Sequence, residues 1–347
     1  MVVPFFVQEL VTFVLPFGIF AILALALNLH FGHTGLFNAG LAGFYAFGAY
    51  TAAILLTPPS PPRPGLYPGH LGGFDLAGRV AWFFQAVGGV EISLFGANLL
   101  AFLLAAAAAF LVAAFVGFLI GIPTLKLRAD YLAITTLALA EIFRITLRNA
   151  RGLTAGTIGI ISIPRPFDGL GLGGPESAAL LALLLGISIV VLYLIVTWFT
   201  NSPWGRVLRS IRDDEEATEV MGKDTFSFKL QSFTIGCGIM GLAGAFVASL
   251  NRVIVPDAFV PITTFTIYVM VILGGAGRNL AVLAGAALFY LFNWGSIRLK
   301  DFLPSVIADK VAFYRLMAVG ILLIVVVVLR PQGIFPEKKY VPKVSER

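Results

Sequence analysis

Most of this chain consists of apolar runs that are almost free of charge and long enough to cross a lipid bilayer. A hydrocarbon core about 30 Å thick requires about 20 apolar residues in a helix. Because no water is available there to bond exposed backbone groups, runs of this length must fold as helices. We predict about nine spans, at residues 10–29, 35–56, 92–125, 131–147, 178–200, 230–250, 265–273, 281–294 and 316–329.

The composition agrees with a membrane protein. Charged residues make up 12% of the chain and the mean hydropathy is +0.94, whereas about a quarter of a soluble domain is charged. The net charge of +6 is typical of basic residues that flank spans, so we expect membrane lipid and no nucleic acid as a partner. The predicted fold is an all-α membrane protein, a polytopic bundle of about nine (8–10) transmembrane helices in one domain, residues 1–347.

Some helices of the bundle are predicted to be broken or closely packed. The run at 265–273 is too short to cross alone, and "GGAGRN" joins it to the next run, which indicates a tight turn in or near the bilayer. Small residues are concentrated at 35–53 and 236–249, where they allow helices to approach closely. We expect these two segments at the centre of the bundle. The single cysteine, Cys237, is expected to pack there.

The distribution of basic residues sets the predicted orientation. Alternating spans place Lys126, Arg128, Arg278, the loop 201–229 and the C-terminal tail from Arg330 onward on one side. That side carries thirteen of the 24 basic residues, a weak excess that makes it the predicted cytoplasmic side, with the N-terminus outside.

The loop 201–229 contains the stretch "IRDDEEATEVMG", which holds five of the chain's eighteen acidic residues. A first helix is predicted to begin at "SPWG", with Ser202 as its cap and Pro203 in its first position. A second, short helix is predicted at 214–221. Asp213 and Glu216 have the spacing of a capping box at its start, and Gly222 provides a left-handed stop.

Such a short helix is not stable alone, so the spans or a partner must hold it. The residues themselves leave two readings equally open: a docking element for another protein, or a solvated loop that only fixes the topology.

Four stretches in this chain resemble the permeases of branched-chain amino-acid ABC importers, and they occur in the order of that family. "EEATEVMG" resembles the E-A-A-x-x-x-G pattern of the cytoplasmic loop in ABC importer permeases, since Glu216, Ala217 and Gly222 match while Thr218 replaces the second alanine. The stretches are "LNLHFGHTGLFNAGLAGFYAFGAYTAAIL", "LRADYLAITTLALAEIFRITLRNARGLTAG", "GRVLRSIRDDEEATEVMG" and "VMVILGGAGRNLAVLAGA". The resemblance covers most of residues 20–335.

The resemblance implies a multi-pass permease of the inner (plasma) membrane that moves amino acids, branched-chain or other neutral and hydrophobic ones, by alternating access. It implies two ABC ATPase subunits, a second, related permease, and a periplasmic or surface substrate-binding protein as partners. Urea and short-chain amide importers use similar permeases and remain an alternative. An ion-coupled carrier is a further, less favoured alternative. Ala155 stands where the family often has glycine, and this departure leaves the side-chain preference open.

The loop residues expected to contact the ATPase form a coupling helix and its approach. They are Arg209, Arg212, Asp213, Asp214, Glu215, Glu216, Ala217 and Gly222. The only Gly-Lys pair of the chain, Gly222-Lys223, is followed by Asp224, so no phosphate-binding loop is present. We therefore expect no cofactor in this chain and no enzymatic activity, with ATP and Mg²⁺ bound by the partner ATPase.

Polar residues at membrane depth are candidates for the translocation path, although interhelical hydrogen bonding is an equally good explanation for them. They are Thr34, Asn38, Tyr45, Thr51, Glu141 and Thr154. Glu141 is three residues before Arg144 and is also explained by a local ion pair. His30 and His33 lack an acidic or cysteine partner, so we expect no metal site and predict that they mark the turn between the first two spans.

Overall fold

The computed structural model describes residues 5–58, 73–88, 94–171, 174–299 and 332–335, with isolated positions from 314 to 328. The regular structure in these parts is helical apart from two short strands, Ile160–Ile161 and Val253–Ile254. The helices are α1 (Phe5–Leu27), α2 (Leu41–Leu56), α3 (Leu76–Gly88), α4 (Leu94–Thr124), α5 (Ala129–Asn149), α6 (Arg151–Thr154), α7 (Gly174–Asn201), α8 (Pro203–Asp213), α9 (Glu215–Val220), α10 (Thr225–Asn251), α11 (Pro261–Gly274) and α12 (Asn279–Leu299).

The predicted all-α membrane fold is confirmed. Within the described residues, six helical stretches are long and apolar enough to span a bilayer: Val11–His33, Gly96–Thr124, Pro175–Asn201, Thr225–Asn251, Pro256–Gly274 and Asn279–Arg298. The shorter α2 and the more polar α5 correspond to two further predicted spans. The last predicted span, 316–329, lies mostly outside the described residues, so the count of nine is approximate. The division into one domain, with the loop 201–229 and the tail 331–347, stays a prediction.

The first span ends differently from the prediction. Beyond Leu27 the helix continues as a π-helix, Asn28–His33, and the non-helical connection begins only after Thr34. The expectation that His30 and His33 mark this turn is therefore wrong, because both lie within the last turns of the helix and are buried. A π-helix closes i to i+5 hydrogen bonds, which widens the helix, and such turns are frequent at functional sites.

Helix α10 packs against both α2 and α4 and forms the centre of the bundle. The two small-residue segments meet there, as predicted. A Cβ atom on Gly48 of α2 would lie 2.0 Å from the carbonyl oxygen of Gly241 in α10, and one on Gly244 would lie 2.4 Å from the carbonyl oxygen of Tyr45. The two backbones therefore touch, and only glycine permits this approach. Cys237 is buried in the same region.

Long-range contacts place the loops on two sides. Backbone N–H groups of Ile334 and Phe335 donate to the carbonyls of Leu273 and Gly274 (both 3.0 Å), so the segment 332–335 lies at the α11–α12 turn. This is the side of the loop 201–229, which we call the acidic-loop side. On the opposite side, the strands Ile160–Ile161 and Val253–Ile254 pair antiparallel. That the acidic-loop side is cytoplasmic stays a prediction.

Candidate functional site

Helix α8 begins the loop 201–229 where the sequence predicts it. Ser202 is extended (φ −74°, ψ 174°) and Pro203 occupies the first turn. The side-chain cap expected of Ser202 is not formed, because its hydroxyl donates to the Phe199 carbonyl (2.6 Å). Gly205 allows α8 to pack closely on the end of α7, since a Cβ there would lie 2.0 Å from the Thr200 carbonyl oxygen.

Two arginines join α8 to the spans. Arg209 Nη2 donates to the carbonyl of Thr200 at the end of α7 (3.0 Å). Arg212 Nη1 donates to the carbonyl of Gly32 in the π-helix (2.5 Å). A cation at the carbonyl end of a helix is favoured by the helix dipole. Both predicted coupling residues therefore point inward and connect the loop to two different membrane helices.

The short helix α9 is capped by Asp214. Its carboxylate accepts the N–H of Ala217 (3.0 Å). The predicted capping box of Asp213 and Glu216 is wrong by one position, because Asp213 is the last residue of α8 and its carboxylate pairs with Arg212 (3.1 Å). The predicted stop at Gly222 is confirmed by its φ of +78°.

Two carboxylates of α9 face α10 and hold the helix in place. Glu215 forms an ion pair with Lys229 (2.5 Å). The hydroxyl of Thr225 donates to Glu219 (2.6 Å) and also lies 3.2 Å from Glu215. Flanking structure therefore supplies the stability that a six-residue helix lacks alone. Glu215 is predicted to contact the ATPase, but its carboxylate is paired with Lys229 of the same chain.

The opposite face of α9 is exposed. Val220 and Met221 have exposed fractions of 89% and 79%. Glu216 and Ala217 are exposed beside them. We call these four residues the coupling tip. Two large apolar side chains standing in water beside a carboxylate are typical of a protein contact surface.

The start of α10 has its own cap. The Asp224 carboxylate accepts hydrogen bonds from the hydroxyl and the N–H (3.2 Å) of Ser227. These bonds, the hydroxyl bond above all, hold the pKa of Asp224 below its ordinary value.

A buried polar cluster joins three spans on the acidic-loop side. Asn28 Nδ2 donates to Asn279 Oδ1 (2.9 Å), and Asn28 Oδ1 accepts the N–H of Gly277 (2.9 Å). Asn279 Nδ2 donates in turn to the hydroxyls of Thr197 (3.1 Å) and Thr200 (3.3 Å) in α7. The cluster links the π-helix, α7 and α12. Sequence reasoning missed it, and the isolated asparagine in "ALALNLH" was the available signal.

A second buried cluster contains two of the predicted path residues. His30 Nε2 lies 3.0 Å from the carbonyl of Phe233, and since a carbonyl only accepts, this nitrogen carries the proton. Nδ1 then accepts from Asn38 Nδ2 (3.3 Å). Thr34 shares a hydrogen bond with Ser232 (2.7 Å). The structure thus brings Thr34 and Asn38 together between the π-helix and α10.

The other predicted path residues lie elsewhere. Tyr45 is buried, and its ring meets that of Phe259 edge-on at 5.1 Å between centroids. The hydroxyls of Thr51 and Thr154 donate to carbonyls of nearby residues in the chain. These residues do not join the cluster of Thr34 and Asn38. Their part in a path stays a prediction.

Glu141 takes part in an ion-pair network. Arg144 binds Glu141 (2.5 Å) and also Asp257 (2.5 Å), which lies in the 3₁₀ turn that follows α10. This geometry supports the local ion-pair explanation of Glu141. The network connects α5 to the 3₁₀ turn that contains Asp257, on the side opposite the acidic-loop side. It does not involve the two buried clusters.

The chain was compared with known proteins. The family model described as "Branched-chain amino acid transport system / permease component" matches residues 10–327. The LivM permease of the high-affinity branched-chain amino acid transport system of Escherichia coli is 30% identical over 339 residues, which cover 92% of this chain and 68% of the relative. A probable LivM permease of Methanocaldococcus jannaschii is 28% identical, over 93% of this chain and 92% of the relative. No solved structure matches the chain.

Proposed function

Because the chain belongs to the family of permease components of branched-chain amino acid transport systems, we propose that it moves branched-chain or other neutral and hydrophobic amino acids across the membrane. It is a multi-pass protein of the inner membrane and a permease subunit of the ABC importer type. The acidic-loop side is cytoplasmic in this proposal. Substrate passes by alternating access, and no covalent chemistry takes place in this chain.

The substrate class is supported by the names of the relatives, which are branched-chain amino acid permeases. Urea and short-chain amides are the competing substrates. Uptake of labelled leucine into cells or proteoliposomes that contain the full importer tests the choice, with a panel of unlabelled amino acids and urea as competitors. We expect leucine, isoleucine and valine to compete. Competition by urea alone would show that the substrate assignment is wrong.

We propose that the coupling tip docks on an ABC ATPase that binds the ATP and Mg²⁺. The observation that carries this proposal is the exposure of Val220 and Met221 on a helix whose other face is fixed to α10. The apolar pair is suited to a pocket in the partner, and Glu216 to a basic residue at its rim. A second, related permease and an outer substrate-binding protein complete the proposed assembly.

Charge reversal at the tip tests the docking. Glu216→Lys should insert into the membrane normally and yet co-purify with less ATPase, because a like charge at the rim costs complementarity. Asp130→Lys is the matched control, since Asp130 is exposed on the same side but outside the loop 201–229. Full retention of the ATPase by Glu216→Lys would remove the support for docking at this position.

The two arginines of α8 supply a route from the ATPase to the spans. Movement of the coupling tip is carried through α8 by Arg209 to the end of α7 and by Arg212 to the π-helix. The competing ion-driven carrier would use a carboxylate such as Glu141, which is already paired with Arg144. Leucine uptake that persists after deletion of the ATPase genes would favour the carrier and contradict the ABC mechanism.

A further inference from the structure

A cleft opens on the acidic-loop side between the end of α7, the side chain of Arg209 in α8 and the start of α12. Its volume is about 430 Å³, within the range of pockets that bind small molecules. It is separate from the coupling tip and from the cluster of Thr34 and Asn38.

The lining of this cleft is suited to an anion. It includes Arg209 and Arg278, and its lining within the described part of the chain contains no acidic side chain. Tyr193, Thr197 and Thr200 of α7 line one wall. The 21-residue helix α12 begins in it, and the first N–H groups of a helix have no partner within that helix. Arginine, hydroxyls and a helix N-terminus together are the donors that bind phosphate groups.

His33 provides an independent sign of a missing ligand. Its side chain lines the cleft and is only 3% exposed. Nε2 lies 3.1 Å from Asn279 Oδ1, and because a carbonyl oxygen only accepts, Nε2 donates there. Nδ1 is buried and has no hydrogen-bond partner in the part of the chain that the structure describes. In this tautomer Nδ1 is an acceptor, and a buried acceptor without a partner is costly, so a ligand hydroxyl that donates to Nδ1 is stabilising.

The position of the cleft indicates what the anion is attached to. Tyr193 and Thr197 line it, while Leu194 (59% exposed) and Trp198 (71% exposed) follow one residue later, about 100° further round the same helix. These apolar side chains lie on the outer surface of a helix that is long and apolar enough to span a bilayer. Leu280, at the start of α12, is also exposed at the rim. An exposed tryptophan at a helix end is typical of the membrane–water interface.

We propose that the cleft binds the phosphate of an anionic phospholipid of the leaflet on the acidic-loop side, with its acyl chains against α7. Basic pockets between membrane helices at that depth are a known mode of headgroup binding. Arg278 and the start of α12 hold the phosphate, the Tyr193 hydroxyl donates to one of its oxygens, and a hydroxyl of the headgroup donates to His33 Nδ1. A bound lipid would connect α7 and α12 beside Arg209, next to the route from the coupling tip.

Native mass spectrometry of the detergent-purified protein, with the partners that co-purify, tests this proposal. Wild-type protein is titrated with phosphatidylglycerol, with phosphatidylethanolamine and with inorganic phosphate. We expect selective retention of phosphatidylglycerol. Arg278→Gln should weaken its binding about tenfold, because one charge-assisted hydrogen bond is lost. Tyr193→Phe, which removes a single hydroxyl, should weaken phosphatidylglycerol binding about threefold. It is the test variant to use if Arg278→Gln fails to fold.

Arg206→Gln is the matched control, since Arg206 is an exposed arginine of α8 that does not line the cleft. It should bind phosphatidylglycerol as the wild type does. An equal loss with Arg206→Gln, or equal retention of phosphatidylethanolamine, would overturn the proposal. Inorganic phosphate that binds in an Arg278-dependent manner while phosphatidylglycerol does not would also overturn it, in favour of a soluble anion.

Discussion

The contact between α2 and α10 predicts that one methyl group at Gly48 destabilises the protein. In Gly48→Ala, the new Cβ would lie 2.0 Å from the Gly241 carbonyl oxygen, whereas ordinary contacts begin near 3.4 Å. The helices must therefore separate by about 1.4 Å, the difference of these two distances. Overpacking of this kind costs about 1–3 kcal/mol, and a backbone neighbour places Gly48 at the upper end.

Gly186→Ala is the matched control in α7. Gly186 is also within a membrane helix, but a Cβ there meets nothing within 4 Å. Replacing glycine by alanine in a helix gains about 1 kcal/mol when space is available. The control should therefore keep or slightly raise the stability, and the difference between the two variants isolates the cost of the close approach.

The measurement is the apparent Tm of each detergent-purified variant at one scan rate, because unfolding of such a protein is irreversible. We expect Gly48→Ala to lose about 4 °C or more relative to wild type. Gly186→Ala should match or exceed the wild type. A Tm of Gly48→Ala that rises together with that of Gly186→Ala would refute the backbone contact between α2 and α10.

Three further predictions concern the loop 201–229. Arg212→Gln should keep ATPase binding but reduce leucine uptake per ATP hydrolysed in proteoliposomes, since its bond to Gly32 is lost; unchanged coupling would contradict the route. Asp214→Ala should destabilise α9 by about 0.5–2 kcal/mol through loss of its cap and speed proteolysis there, and an unchanged cleavage rate would count against the cap. The pKa of Asp224 is lower in the folded protein, so its stabilising effect is present above its ordinary pKa of 3.8 and is lost as the pH falls below it. Asp224→Asn should therefore lower the Tm at pH 7, and this difference should shrink as the pH falls below 3.8, whereas a constant difference would exclude this linkage.

Local sequence signals were sufficient for most of the described membrane helices and for two helix ends in the loop 201–229. The length of each apolar run fixed the helices, because the bilayer leaves the backbone no alternative. Gly222 and Pro203 act through their own backbone geometry, so their roles were readable from the chain alone. The residue that caps α9 is Asp214 and not the predicted Asp213, because Asp213 still belongs to α8. The spacing of the acidic residues alone does not specify where α8 ends.

The polar clusters were not predictable in the same way. Asn28 and Asn279 are 251 residues apart, and their hydrogen bond depends on the packing of whole helices. The Glu215 side chain likewise points toward α10 because it pairs with Lys229 of that helix. The π-helix has no local signature in "NLHFGH". In the structure the π-helix packs closely on the α11–α12 turn. A Cβ atom on Gly32 would lie 2.5 Å from the Gly277 nitrogen.

Backbone contact between α2 and α10 also restricts how the protein can move. Two helices that touch through glycines have no side chains between them to repack, so they cannot slide or tilt against each other without steric overlap. They therefore form a single rigid body. We therefore expect a change between outward and inward access to keep this pair together and to move the other helices around it.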